Sequence, residues 1–315
     1  MGAKLVLTGV TGPKSGDVLA VTGITGHSGR FFLKELEKHD FQGTVRCLVR
    51  KTSDTTLLDS SPLKIEKLVG DYTDYSTLLK LTTGANIVMH ISNIRQSVNV
   101  LKASIENKVD RLVMVHTTGV YSKFKMASAE YKEIEVEIGK MLTAHAINCT
   151  ILRPTMIFGD LCDHNIRKFI RMVDKFPVML EINHGLGKIR PVNARDLAKA
   201  YLKIVCMKEK LPELYYDLSG EKSLTLHELF DLIGQYLGKK RVHHISCPMW
   251  LGVFMARCVK IITFGNADFV ERVLRMEENR DYDHEAATRD FGYKPVSFEV
   301  GLKREVEQYL SQNHI

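Results

Sequence analysis

Apolar runs of strand length alternate with amphipathic runs of helix length through the first half of the chain. Asp17–Thr22 reads as a buried strand, Arg30–His39 as a helix and Thr44–Val49 as a second strand. A short strand over Ile65–Val69 and a helix over Tyr75–Leu81 follow. The pattern then predicts a strand at Asn86–Ile91, a helix at Gln96–Asn107 and a strand at Arg111–His116. A long helix over Tyr131–Ala144 and a strand over Cys149–Arg153 complete the series. Strand and helix in this rhythm imply parallel pairing with helices on both faces. Right-handed crossovers then give an α/β, Rossmann-type doubly wound parallel sheet.

After Pro154 the rhythm changes. Helices are expected over Ile166–Lys175, Asp196–Met207, Leu226–Leu237 and Phe298–Leu310, with a loop over Phe176–Pro191 and a short strand at Leu214–Leu218. We therefore expect an N-terminal extension over 1–16 and a nucleotide-binding domain over 17–159. Residues 190–210 should pack back on the sheet, and 160–315 should form mainly a smaller, interleaved substrate lobe. An upstream glycine pair, Gly9 and Gly12, precedes Pro13 and no helix follows, so it reads as part of the extension or as an added edge strand. The apolar stretch 248–265 is interrupted by Arg257 and Lys260 and is too short to span a bilayer. It reads as an amphipathic helix packed on the lobe, a lid over an apolar substrate, or a membrane-touching helix.

Composition changes little. The net charge is +7, but Lys and Arg are scattered without a block of like charges, so no nucleic acid partner is expected. Six cysteines include no CxxC pair, and no histidine spacing suits zinc, so no metal is expected. Cys47 and Cys149 fall in apolar runs, which fits reduced thiols. With no signal-peptide pattern at the start, a cytoplasmic protein without stable membrane insertion is expected.

Gly23-Ile24-Thr25-Gly26-His27-Ser28-Gly29 lies between the first strand and the first helix. Glycines here let the backbone turn tightly and approach a pyrophosphate, and the helix N-terminus offers free N–H groups to it. The second strand ends at Arg50-Lys51 rather than at a carboxylate. Two cations favour a ribose 2′-phosphate, so NADP(H) is expected over NAD(H).

These motifs resemble the short-chain dehydrogenase/reductase superfamily, in the extended and atypical branch that holds epimerase/dehydratase-like and NmrA-like proteins. Thr22–Gly29 resembles its TGxxGxxG, and Gly70-Asp71-Tyr72-Thr73-Asp74 its GDxxD. Val109–Thr118 resembles the strand that ends at the catalytic Ser or Thr. Leu152–Gly159 resembles LRPxxIYG, and Arg190–Ala198 resembles PVxVxDLA. The resemblance implies a cofactor site of Gly23, Thr25, Gly26, His27, Ser28, Gly29, Arg50, Lys51, Asp71, Tyr72, Ile91, Ser92, Thr117, Pro154 and Ile157. It also implies a small-molecule substrate, such as a nucleotide-sugar, and allows a homodimer through the helix of Tyr131, whose Glu133, Glu135 and Glu137 look acidic.

The resemblance breaks at the proton relay. It implies a Tyr with a Lys four residues later, beside a Ser or Thr. Thr118 and Tyr131 fit, but the position four beyond Tyr131 is Glu135. Three readings follow: an oxidoreductase or epimerase using Thr118 and Tyr131 with Lys132 or Lys125; a pair formed by Tyr121 and Lys125; or a cofactor-binding sensor or subunit without this chemistry. Asp163, His164 and Asn165 could face a substrate or cap the next helix. Arg190 could meet a phosphate or serve the surface.

Overall fold

The computed structural model describes residues 15–263 and 269–313, with the side chains of 125–127 and 313 excepted. The assigned extension therefore lies almost wholly outside the described residues.

Buried aliphatic runs and amphipathic stretches alternate as β1 (Val18–Thr22), α1 (His27–Lys38), β2 (Thr44–Val49), the one-turn α2 (Thr56–Asp59), β3 (Ile65–Val69), α3 (Tyr75–Thr82), β4 (Ile87–His90), α4 (Ser97–Glu106), β5 (Arg111–Val115), α5 (Lys125–Ala144) and β6 (Asn148–Pro154). Next come β7 (Ile157–Phe158), α6 (Ile166–Lys175), β8 (Val178–Ile182), β9 (Lys188–Ile189), β10 (Val192–Asn193), α7 (Ala194–Cys206), β11 (Tyr215–Leu218), β12 (Leu224–Thr225) and α8 (Leu226–Tyr236). The chain closes with β13 (His243–Cys247), α9 (Met249–Ile262), α10 (Val270–Leu274), α11 (Glu285–Phe291) and α12 (Phe298–Asn313).

Seven strands form one sheet in the order β11-β6-β5-β4-β1-β2-β3. Every pairing in it is parallel. The order reverses between β1 and β4, so their carboxyl ends open a crevice. One core cluster joins β1, α1 and α7 through Leu19, Phe32, Leu197 and Tyr201. A second, on the other face, joins α3, α4 and α5 through Leu78, Leu101 and Ile138. A third, built from α6, α8 and α12, includes Ile170, Leu229 and Leu302.

Three expectations are corrected. The long helix begins at Lys125, not Tyr131. The segment expected to be a loop contains β8, which pairs in parallel with β13. Strand character there depends on a partner some sixty residues away, which local periodicity cannot report. Third, Glu135 does not share an acidic face with Glu133 and Glu137; it points inward and is buried. The 248–265 stretch is helical over its described part. However, only Gly252 and Ala256 of α9 are buried, while Trp250 and Phe254 stand in solvent. No helix among the described residues is long and apolar enough to cross a membrane.

Candidate functional site

The crevice is built around the turn after β1. Gly23 has φ +77°, and a Cβ there would lie 2.9 Å from the Ser92 backbone nitrogen. Gly29 sits in the first turn of α1, where a Cβ would come within 2.1 Å of the Gly23 carbonyl. That glycine seats the helix on the turn, leaving the α1 N-terminus open to an anion.

A cavity of about 310 Å³ follows. Gly23, Thr25, Gly26, His27, Ser28, Arg50, Tyr72, Ile91, Ser92 and Ile157 line it, with Thr22, Leu48, Ser53 and Gly70. Most of the expected cofactor residues therefore converge. Five do not line this cavity among the described residues, and two of these, Thr117 and Pro154, line the cavity next to it. Gly29 works from behind, through packing. Lys51 is exposed beyond the strand end. Asp71 accepts from the Thr73 backbone N–H and hydroxyl, both at 2.8 Å, which ties it into its own turn.

Two groups that sequence reading missed brace this crevice. His90, fully buried at the end of β4, lies 2.7 Å by Nδ1 from the Thr22 hydroxyl, while the Ser92 hydroxyl donates to Thr22 at 2.9 Å. Burial pushes His90 down to about 3, so its ring is neutral. Asp160 lies 3.2 Å from His27 Nε2, an ion-pair contact outside hydrogen-bond alignment, and 3.3 Å from Arg30. Burial pushes the Asp160 carboxyl up, but His27, the Cys162 N–H and Arg30 outweigh it and hold it at about 2. The available signal for Asp160 was its place directly after the LRPxxIYG-like stretch.

A second cavity, of about 420 Å³, adjoins the first at Ile157. Thr117, Thr118, Ser122 and Pro154 line it, together with Arg190, Arg275, Glu278 and Arg280. The Thr118 hydroxyl donates to the Pro154 carbonyl at 3.3 Å. Arg190 spends its guanidinium on the Gly220 and Glu221 carbonyls, both at 2.8 Å, so it clamps a loop. Asp163 accepts from the backbone N–H groups of Asn165 and Arg167 and so caps α6.

Of the candidate relay residues Thr118 lines this cavity, whereas Tyr131, Lys132 and Tyr121 do not among the described residues. Tyr131 lies against Arg95, whose guanidinium carbon is 5.8 Å from the ring centroid. It does not line the cavity among the described residues. Lys132 reaches back to the Ser122 carbonyl at 3.4 Å. Tyr121 lies in a turn before α5, where its hydroxyl faces the Asp217 carboxylate at 3.0 and 3.2 Å and accepts from Arg153 at 2.7 Å. Burial and Asp217 push it up to about 12, against proton transfer near neutrality. The Lys125 side chain lies outside the described residues.

Glu135 occupies the position where the resemblance implies Lys. Its carboxylate accepts from Arg153 Nε at 3.0 Å, from a second Arg153 nitrogen, and from His116 Nδ1 at 3.0 Å. His116 Nε2 accepts from the Ser97 hydroxyl at 3.1 Å. Burial pushes Glu135 up, but His116 and Arg153 outweigh it and hold it below the usual carboxyl range. Burial holds His116 below its ordinary value as well.

Residues 23–175 match the family model described as NAD(P)H-binding. A curated relative from Dictyostelium discoideum, NADH dehydrogenase (ubiquinone) 1 alpha subcomplex subunit 9, mitochondrial, is 26% identical over 234 residues. That span is 70% of this chain and 64% of the relative, so the chain covers less than two thirds of the relative's length. A dTDP-glucose 4,6-dehydratase from Streptomyces venezuelae, solved with NAD and TYD, superposes with TM-score 0.70 and 17% identity, covering 94% of this chain and 98% of that one. The triphenylmethane reductase of Citrobacter sp. complexed with NADP(H) gives TM-score 0.67 and 19% identity, covering 92% of this chain and 100% of that one. At these identities the likeness shows the fold alone.

Proposed function

We propose that the chain, whose residues 23–175 match an NAD(P)H-binding family model, holds NADP(H) as a sensor or as a subunit of a larger assembly, and does not turn the dinucleotide over through a Tyr/Lys relay. The observation that carries this reading is Glu135. A lysine there would lower the Tyr pKa and hold the ribose hydroxyls. Instead an acid occupies the position, buried and fully engaged by Arg153 and His116. The name of the Dictyostelium relative, a subunit, supports an assembly role. Arg50, at the end of β2 and lining the groove beside Ser53, supports NADP(H) over NAD(H). On this reading residues 17–159 carry the dinucleotide, and the elements after 160 form the lobe that meets a partner or ligand.

A second reading, a reductase or epimerase, is favoured by one observation: the cavity beside Thr118 adjoins the dinucleotide groove and carries Arg275 and Arg280, a setting for an anionic carbonyl substrate. One experiment separates the two. Binding of NADPH is measured by calorimetry, and hydride transfer from 4-deuterated NADPH is then followed over a panel of carbonyl compounds and nucleotide-sugars. Binding without deuterium transfer is the expected result. Transfer that disappears in Tyr131→Phe or Tyr121→Phe overturns the proposal.

A further inference from the structure

Away from the dinucleotide crevice, β8, α8 and β13 bring together Glu181, His227 and His244. Glu181 lies at a buried register of β8, its side chain 2% exposed. Its Oε2 is 3.0 Å from His227 Nδ1, and its Oε1 is 2.5 Å from His244 Nδ1. The two imidazoles face each other with centroids 4.0 Å apart. On their far side Asp231, one turn after His227 on α8, receives both rings. Asp231 Oδ1 is 3.0 Å from His244 Nε2, and Oδ2 is 3.6 Å from His227 Nε2. Each ring is thus held between two carboxylates.

A buried carboxylate needs a partner of opposite charge. In the metal-free chain, protonated rings between Glu181 and Asp231 supply it. A divalent cation on the Nδ1 side supplies it as well and leaves both Nε2–H groups to donate to Asp231, the carboxylate–histidine–metal arrangement. The three donors, one atom each from Glu181, His227 and His244, already lie within 4.8 Å of one another. Zinc–nitrogen bonds of about 2.0–2.1 Å place tetrahedral donors about 3.3 Å apart, so the contacts of Glu181 with the two rings, at 3.0 and 2.5 Å, open by small side-chain rotations to admit the ion. Gly185 leaves the Glu181 carboxylate its room: a Cβ there would stand 2.9 Å from the Glu181 carboxyl carbon and 3.1 Å from its Oε2.

We propose that Glu181, His227 and His244 form a binding site for a divalent transition metal, zinc being the ion whose donor preference they fit, with Asp231 as the positioning carboxylate behind both rings. The half-exposed His227 leaves a fourth position open to water. Metal binding releases the Nδ1 protons to solvent and pins β8, α8 and β13 together. No sequence spacing announces the site, because His227 and His244 stand 46 and 63 residues from Glu181.

The test uses the full chain, stripped with chelator and desalted, titrated with Zn²⁺ by calorimetry and with Co²⁺ by visible absorption. The expected result is one equivalent bound per chain, with a d–d band of a nitrogen/oxygen site. Asp231→Ala should weaken binding about 10–100-fold, as loss of an outer partner does, and His227→Ala or His244→Ala should weaken it more. NADPH binding reports that each variant is folded. Should the histidine variants fail to fold, modification of wild-type His227 by diethyl pyrocarbonate decides, and one equivalent of Zn²⁺ should protect it. No uptake by the wild type, unchanged uptake in folded His227→Ala and His244→Ala, or unprotected His227 at full occupancy overturns the proposal.

Discussion

Arg153 Nε donates to Glu135 Oε1 at 3.0 Å, joining the end of β6 to the middle of α5 in a buried ion pair. Arg153 also spans aromatic surface, with its guanidinium carbon 3.8 Å from the Tyr215 ring centroid, and it donates to the Tyr121 hydroxyl. Removing one partner of such a pair leaves a charge without compensation, at a cost of about 3–5 kcal/mol. Glu135→Gln should therefore lower unfolding stability by about 3 kcal/mol in urea at neutral pH. Glu135→Lys, which restores the YxxxK spacing from Tyr131, should destabilise further, because it sets a second cation against Arg153. It should not create hydride transfer. Turnover in a folded Glu135→Lys protein would show that the relay needs only that lysine. The sign with pH follows from the depressed Glu135 value. The contribution is present above the unfolded carboxyl value and lost as pH falls through the folded one. The gap between wild type and Glu135→Gln should narrow in acid.

The doubly wound sheet and its glycine turn were legible because their signals are local. Val18–Thr22 is a continuous apolar run, and the Gly23–Gly29 spacing encodes a turn that only glycines can make. Glu135 was legible as a departure, since its offset from Tyr131 is fixed by helix geometry. Its partners Arg153 and His116 were not, because the contact spans separate strands. The same holds for β8 with β13, for His90 under Thr22, and for Asp160 against His27. Each is a tertiary contact whose two halves carry no shared periodicity. The direction of Lys132 is another such contact: adjacent residues on a helix face different directions, and α5 begins early enough to send Lys132 back to the Ser122 carbonyl.

Arg50 provides the test of dinucleotide preference. Its side chain borders the groove where β2 ends, and Lys51 stands away from it. A charge-assisted hydrogen bond contributes about 1.5–3 kcal/mol, which corresponds to about 10–100-fold in affinity. Arg50→Glu should weaken NADPH binding by that factor and leave NADH binding unchanged or improved. Lys51→Ala should change either by less than about threefold. Equal losses for both dinucleotides in Arg50→Glu would mean that Arg50 supports the groove instead of reading the phosphate.

Gly29 predicts a different failure. A methyl at this position would stand 2.1 Å from the Gly23 carbonyl and 2.7 Å from Ile24 backbone atoms, none of which can yield without moving the turn. Gly29→Ala should shift α1 off β1, abolish measurable dinucleotide binding and cost about 1–3 kcal/mol of stability, as overpacking does. Gly139, on α5, is the control, because a Cβ there would meet no atom within 4 Å. Gly139→Ala should be neutral or stabilising by about 1 kcal/mol through helix propensity. Normal NADPH affinity in Gly29→Ala would show that the close approach is relieved elsewhere.

His90 gives the pH dependence of the crevice. Burial lowers its value from the ordinary histidine range near 6.5 to about 3, and the ring stays neutral to accept from Thr22 and donate to the Asn93 carbonyl. Between those two values the unfolded chain binds a proton that the folded chain does not. Stability therefore rises with pH across that window, and acidification from about 6.5 towards 3 removes it. His90→Asn takes the titrating group away. It should lower stability at neutral pH, where the hydrogen bonds to Thr22 and Asn93 are lost, and it should flatten the slope of stability against pH below about 6.5. Urea midpoints at several pH values for both proteins measure this directly. Parallel curves would locate the acid sensitivity elsewhere, with His116 and Glu135 the next groups to vary, since both lose their stabilising state in the same direction.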